Sequence, residues 1–248
     1  MRIPRIYTGQ ALQPNSIVEL EPGPSQHLSR VLRMKVGDGL ILFDGRGGQY
    51  PATISAIDRK LVAASTGDSD PVERESGLDL QLGIAISRGD RMDQVVQKAT
   101  ELGVRTIAPL LTERTEVRLG SERGDKKLRH WQQVATSACE QCGRNRLPQI
   151  LPPQSLEQWL QAVRADVRLV LHHTAGNTDP GSASPATVAL LVGPEGGLGP
   201  QEIDAAEQAG FRSLQLGPRI LRTETAPLAA IAILQARWGD MGTAGLPG

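Results

Sequence analysis

Aromatic side chains are scarce in this chain, with three Trp, two Tyr and two Phe among 248 residues, so aliphatic residues must build most of the core. Cysteine is scarcer still. Cys139 and Cys142 are too few and too close together to form a disulfide framework. No run of about 18 apolar residues occurs, so a membrane span is not expected. The opening MRIPRIYTGQ lacks the apolar stretch of a signal peptide, which makes the cytoplasm the default location. Net charge is zero, with 27 basic and 27 acidic residues. That excludes coating of nucleic acid by bulk charge and leaves room for a local basic face, the bases being mostly arginine. The dinucleotide fingerprint, the P-loop and the nucleophile elbow are all missing.

What is present is ordinary in amount, with 39% apolar and 22% charged residues in a chain long enough for one large domain or two modest ones. The N-terminal part reads as β-rich. Strand-like runs at Leu40 to Phe43, Tyr50 to Ile57 and Leu61 to Ser65 are separated by turn residues, with DGRGGQ as a hairpin turn. His27, Leu28, Val31 and Leu32 predict a short helix over Pro24 to Leu32 with one buried face. The polar, acidic stretch Thr66 to Gly77 is the candidate for a linker, placed at 71–77 after a first domain over residues 1–70.

From Leu78 the pattern turns to alternating strands and helices. LQLGIAI is a strand, Asp90 is placed to cap the helix carrying Met92, Val95, Val96, Ala99 and Leu102, and Gly103 suits its C-terminus. Thr106 to Leu111, Val167 to Leu171, Val188 to Val192 and Ser213 to Leu216 read as further strands. Asp125 to Cys142 and Ala226 to Trp238 read as helices, and Ser155 with Gln158 forms a capping box. Such alternation indicates an α/β domain over residues 78–241 with a mostly parallel sheet, followed by a tail at 242–248. CEQC has the spacing of a redox or metal pair, but it lies mid-helix without a second pair and reads as packing cysteines. His172 and His173 follow a strand, where α/β proteins place ligand groups.

Two stretches carry most of the functional information. VGPEGGLG (Val192 to Gly199) and LGPRILRTETAPLAA (Leu216 to Ala230) both leave a strand and enter a helix. Ligands of open α/β sheets bind at that place. A phosphate would meet Glu195, Glu202 and Asp204, whereas a cationic ligand would be tolerated. S-adenosylmethionine, with its sulfonium and no phosphate, fits that charge.

GPEGG followed by LGPRILRTETA resembles the ending of the SPOUT methyltransferases, and more narrowly that of the bacterial 16S ribosomal RNA uracil-N3 methyltransferases. The likeness extends to HLSRVLRMKVGD (His27 to Asp38), QKATELGV (Gln97 to Val104) and EQCGRNRLP (Glu140 to Pro148). It implies a PUA-like β-barrel, a C-terminal α/β domain with a trefoil knot, and a homodimer with its cofactor pocket near the subunit interface. It implies S-adenosylmethionine held by Leu171, His172, Gly193, Pro194, Glu195, Gly196, Gly197, Leu216, Gly217, Ile220, Leu221, Thr223 and Ala226. The substrate implied is 16S ribosomal RNA of the small ribosomal subunit.

Methylation of uridine N3 needs a base or a cation that stabilises the deprotonated ring. Arg222 and Glu224 are the candidates, although Glu224 could instead cap the last helix and Arg222 could pair with a carboxylate. Arg5, His27, Arg30, Arg33, Arg144 and Arg146 are candidate RNA contacts. Methylation of ribose or another base, and a non-catalytic RNA-binding assembly factor, are the alternatives.

Overall fold

The structure is a computed structural model that describes residues 3–58, 61–115, 121–172 and 184–242. His173 and the tail at 243–248 lie outside the described residues. The chain divides into two compact units: Met1–Glu75 with Thr136–Leu147, and Ser76–Ala135 with Pro148–Gly248.

The N-terminal unit holds five strands: β1 (Arg5–Tyr7), β2 (Ile17–Glu19), β3 (Gly39–Phe43), β4 (Tyr50–Asp58) and β5 (Leu61–Thr66). They form one sheet in the order β1-β3-β4-β5-β2, antiparallel except for β1 beside β3. The expected hairpin joins β3 to β4, and Gly45, Gly47 and Gly48 take the positive φ angles its turn needs. Alternating residues Leu40, Leu42, Ala52 and Ile54 form the core with Ile6, Val62 and Leu28.

Helix α1 (Pro22–Gln26) runs directly into a π-helical turn, His27–Val31. Here the expected amphipathic helix is corrected. Leu28 is buried, but Val31 and Leu32 are 65% and 40% exposed. The wider winding, closed by the Leu32 N–H donating to the His27 carbonyl at 3.0 Å, rotates those two residues off the face that holds Leu28.

The boundary between units also differs from the expected linker at 71–77. Asp70 pairs with Gln49 as a β-bridge, and residues as far as Glu75 belong to the N-terminal unit. The segment 136–147 joins them. Glu75 and Arg144 account for this: the guanidinium donates to both carboxylate oxygens at 2.8 and 2.6 Å, with each side chain about 5% exposed. Asn145 is fully buried and donates to the Val72 carbonyl at 2.7 Å.

The second unit holds β6 (Asp79–Ala85), α2 (Arg91–Glu101), β7 (Thr106–Leu111), most of α3 (Ser121–Cys142), β8 (Gln149–Ile150) and β9 (Gln154–Ser155). There follow α4 (Leu156–Ala162), β10 (Val167–Leu171), β11 (Thr187–Val192), α5 (Pro200–Gln208), β12 (Arg212–Leu214) and α6 (Ala226–Trp238). The sheet runs β12-β10-β11-β6-β7-β8, with β9 also on β7, and every pairing is parallel.

Both faces of this sheet are covered, which is why its strands are apolar throughout. Val188, Leu190 and Val192 pack into a core with Val95, Trp131, Ile231 and Leu234. Ala189 and Leu191 face the other way, toward Trp159, Leu160 and Phe211. On that side Gly83 of β6 lies under the Trp159 ring, where a Cβ would come within 2.6 Å of it.

The capping box at Ser155 and Gln158 forms as expected, and Gly103 closes α2 at φ +85°. Asp90 precedes α2 but makes no side-chain cap. No helix among the described residues is long and apolar enough to cross a membrane.

Candidate functional site

Because the sheet is parallel, the loops that leave β10, β11 and β12 emerge on one edge, and these three strands are neighbours. Between the loops lies a cleft of about 360 Å³, within the range of small-molecule sites. Every residue expected at a cofactor site lines it: Leu171 and His172 after β10, Gly193 to Gly197 after β11, Leu216, Gly217, Ile220, Leu221 and Thr223 after β12, and Ala226 at the start of α6. Its walls mix aliphatic side chains with Arg114, His172, Glu195 and Arg219, and glycine backbone lines it at Gly193, Gly196, Gly197 and Gly217. Ile220 is 83% exposed at the mouth.

The loop after β11 is held rigidly. The Gly197 N–H donates to the Pro194 carbonyl at 2.9 Å, closing a turn that needs φ +69° at Gly197. Glu202 accepts from the Gly199 N–H and from the Glu113 N–H, each at 2.8 Å. This corrects the charge argument for Glu202: its carboxylate is spent on two backbone amides and faces neither ligand nor cleft. The Gly196 carbonyl accepts from Arg114 Nη1 at 2.7 Å, and Glu195 pairs with Arg91 at 2.7 Å. Glu195 therefore meets a cation already, and the residue is shared by the lining of the cleft.

Glu224 sits between two guanidiniums, 3.9 Å from Arg91 Nε and 3.9 Å from Arg222 Nη1. Its side chain is 20% exposed, against 82% for Arg222. It caps nothing, since the residue before α6 is Thr225 and that residue makes no side-chain cap.

The candidate RNA residues separate into two groups. His27, Arg30 and Arg33 are exposed in or beside the π-helical turn, with Arg33 in the left-handed region at φ +53°. Arg146 is half exposed and pairs with Glu73 at 3.0 Å. Arg5 and Arg144 are corrected. Arg5 donates to Gln49 and Asn145 and stacks over the Phe43 ring, and Arg144 is buried against Glu75, so both guanidiniums hold the N-terminal unit together. Burial works against the Arg144 charge, and the Glu75 hydrogen bonds more than restore it.

The cysteines read as packing residues. A hydrogen bond with Cys142, together with burial, pushes the Cys139 thiol far up, so it stays protonated. Among the described residues no His, Cys, Asp and Glu cluster has the makings of a metal site.

Arg91 and Arg114 escaped the sequence reading. Arg91 follows β6 and Arg114 follows β7, so strand-end position was the signal available for both.

Comparison with known proteins agrees with this geometry. The RNA methyltransferase domain family matches residues 74–235, and the RNA methyltransferase PUA domain family matches residues 25–66. Ribosomal RNA small subunit methyltransferase E of Buchnera aphidicola is 36% identical over 97% of this chain and 98% of its own length. The protein of that name from Synechocystis is 34% identical over 90% of this chain and 75% of its own. The chain belongs to this family of RNA methyltransferases.

Solved structures extend the likeness to three dimensions. A methyltransferase of Legionella pneumophila, in complex with its bound cofactor S-adenosylmethionine, superimposes with a TM-score of 0.93 at 42% identity, covering 97% of this chain and 100% of that one. A ribosomal RNA small subunit methyltransferase E of Neisseria gonorrhoeae, bound to S-adenosylmethionine, gives 0.90 at 38% identity over 96% and 99%.

Proposed function

We propose that this chain methylates N3 of a specific uridine in 16S ribosomal RNA with S-adenosylmethionine, acting as a cytoplasmic homodimer. The observation that carries the reading is the cleft at the ends of β10, β11 and β12. It gathers every residue of the expected cofactor set in a chain whose family has solved members with S-adenosylmethionine bound.

The cleft fits that group. Leu171, Leu216 and Leu221 offer apolar walls for an adenosine, and Gly193, Gly196 and Gly197 offer bare backbone to its polar edges. At Gly193 a Cβ would press on Leu198 at 3.0 Å, so the loop is built without side chains there. When bound, S-adenosylmethionine supplies a methyl group on a cationic sulfur. The residues of the chain do the rest: they exclude water, align the acceptor and manage its N3 proton. Glu224 takes that proton, and the Arg91 and Arg222 guanidiniums beside it offset the negative charge left on the ring.

In this reading the N-terminal unit contributes His27, Arg30, Arg33 and Arg146 to RNA binding. The homodimer is supported by α6, whose first two turns are apolar all round and leave Ile233 51% exposed. The knot implied by the resemblance belongs to the same reading.

Mass mapping of 16S ribosomal RNA from cells lacking the gene, with and without the restored protein, tests the function. We expect one uracil to lose an N3 methyl group and regain it. A methyl group lost from a ribose or another base would replace this reading, and calorimetry showing no binding of S-adenosylmethionine would remove it.

A further inference from the structure

Four charged side chains beside the donor cleft form a series of alternating sign, and they come from three separate loops. Arg91 opens α2, after β6. Glu195 lies in the loop after β11, and Arg222 and Glu224 lie in the segment between β12 and α6. Arg91 Nη1 donates to Glu195 Oε1 at 2.7 Å, and its Nε stands 3.9 Å from Glu224 Oε2. Arg222 Nη1 stands 3.9 Å from the other oxygen of Glu224. Among the described residues these contacts are the full set of side-chain partners of the four.

Helix stability does not account for Arg91. A cation in the first turn of a helix opposes the helix dipole, which favours an acid there. The two carboxylates do account for it. A planar guanidinium gives Nη1 to one acid and turns Nε toward the other, a fork that a single ammonium lacks.

The two contacts differ in kind. Glu195 is held by a hydrogen bond. Glu224 stands beyond hydrogen-bond distance, so the charge steadies it without taking up an acceptor lone pair. Of the four residues, Glu195 lines the donor cleft and the other three do not. Arg91 therefore meets the donor loop without lining the donor cleft itself.

We propose that Arg91 is a positioning residue for Glu224, anchored on the cofactor loop through Glu195. The loop that walls the donor cleft then also sets the carboxylate that takes the N3 proton, so one loop serves both methyl donor and base. The assignment rests on the RNA-methylation reading above, in which Glu224 takes that proton.

A double-variant cycle on the full chain tests it, with small ribosomal subunits as substrate. Single-turnover methylation at saturating S-adenosylmethionine and RNA is compared for wild type, Arg91→Gln, Glu224→Gln and the two combined. Arg91→Gln should slow methylation about tenfold in the wild-type background, and less than about twofold where Glu224 is already Gln. Arg91→Lys should recover part of the rate, since it keeps the charge without the fork. Calorimetry should give every variant the donor affinity of the wild type, which also shows that each one folds. Hydrogen exchange at residues 222–226 should rise severalfold in Arg91→Gln.

A wild-type rate for Arg91→Gln overturns the assignment, as does unchanged exchange at residues 222–226. The same fractional loss in both backgrounds makes Arg91 act without Glu224 and overturns it too. Weaker donor binding with an unchanged saturated rate gives Arg91 to the cofactor site instead, which also overturns it. A wild-type chain that methylates nothing removes the methylation reading, and this assignment falls with it; the other outcomes count against Arg91 alone.

Discussion

Glu224 and Glu202 are both acids of C-terminal motifs, and the structure gives them opposite employment. Glu202 is saturated by two backbone N–H groups. Glu224 faces two guanidiniums at 3.9 Å, a distance that leaves its oxygens able to accept another donor. Glu224→Gln keeps the shape and removes the proposed base. The turnover rate at saturating RNA should fall by about 10² or more, with S-adenosylmethionine affinity unchanged. Single-turnover kinetics reads this directly, and a rate equal to wild type would remove Glu224 from the chemistry. Arg144 teaches the converse lesson. GRNR reads as a basic surface loop, yet its first arginine is buried, because a carboxylate far back in sequence, Glu75, returns to meet it.

The π-helical turn is the element where local pattern and structure part. Its winding exposes Val31, Leu32, Arg30 and His27 together, an amphipathic surface that an α-helix of the same sequence would not present. Replacing Arg30 and Arg33 together by alanine should raise KM for the RNA substrate severalfold and leave kcat and donor affinity alone. A methylation assay over a range of salt checks it, and an unaltered KM excludes this turn from the footprint. Elements with strong local signals were legible beforehand. These are β3, β4 and β5 as strand-like runs bounded by turn residues, α2 from helical spacing, and α4 from its capping box. The cofactor-side cleft was legible as well, because each of its loops directly follows a strand. The charge series through Arg91 and the true extent of the N-terminal unit were not. They depend on which strands become neighbours and which distant charges pair, and spacing along the chain encodes neither.

At the scale of the whole molecule, α6 bears on the oligomeric state. Its apolar side beyond the core includes Leu228, Ala229, Ala232 and Ile233, more than a lone surface helix ordinarily leaves to water. Ile233→Asp puts a charge where a partner copy is proposed to pack, at a position half exposed within one chain, so the fold itself should survive. Light scattering should show the mass fall from two copies to one at micromolar concentration, with unaltered circular dichroism. A dimer that persists, or a wild-type protein that is already monomeric, overturns the proposed assembly.

The N-terminal unit is first in sequence but is not complete when its own strands are. Its strands end at Thr66, and Glu75 and Val72 then lack the groups they meet in the fold until Arg144 and Asn145 have been made. A ribosome delivers those residues only after β6, α2, β7 and α3, at roughly 5 to 20 residues per second. During that interval a carboxylate destined for burial has no cation and must stay in water. The order of synthesis is therefore not the order of completion: the first unit to emerge closes only after the first stretch of the second has been made.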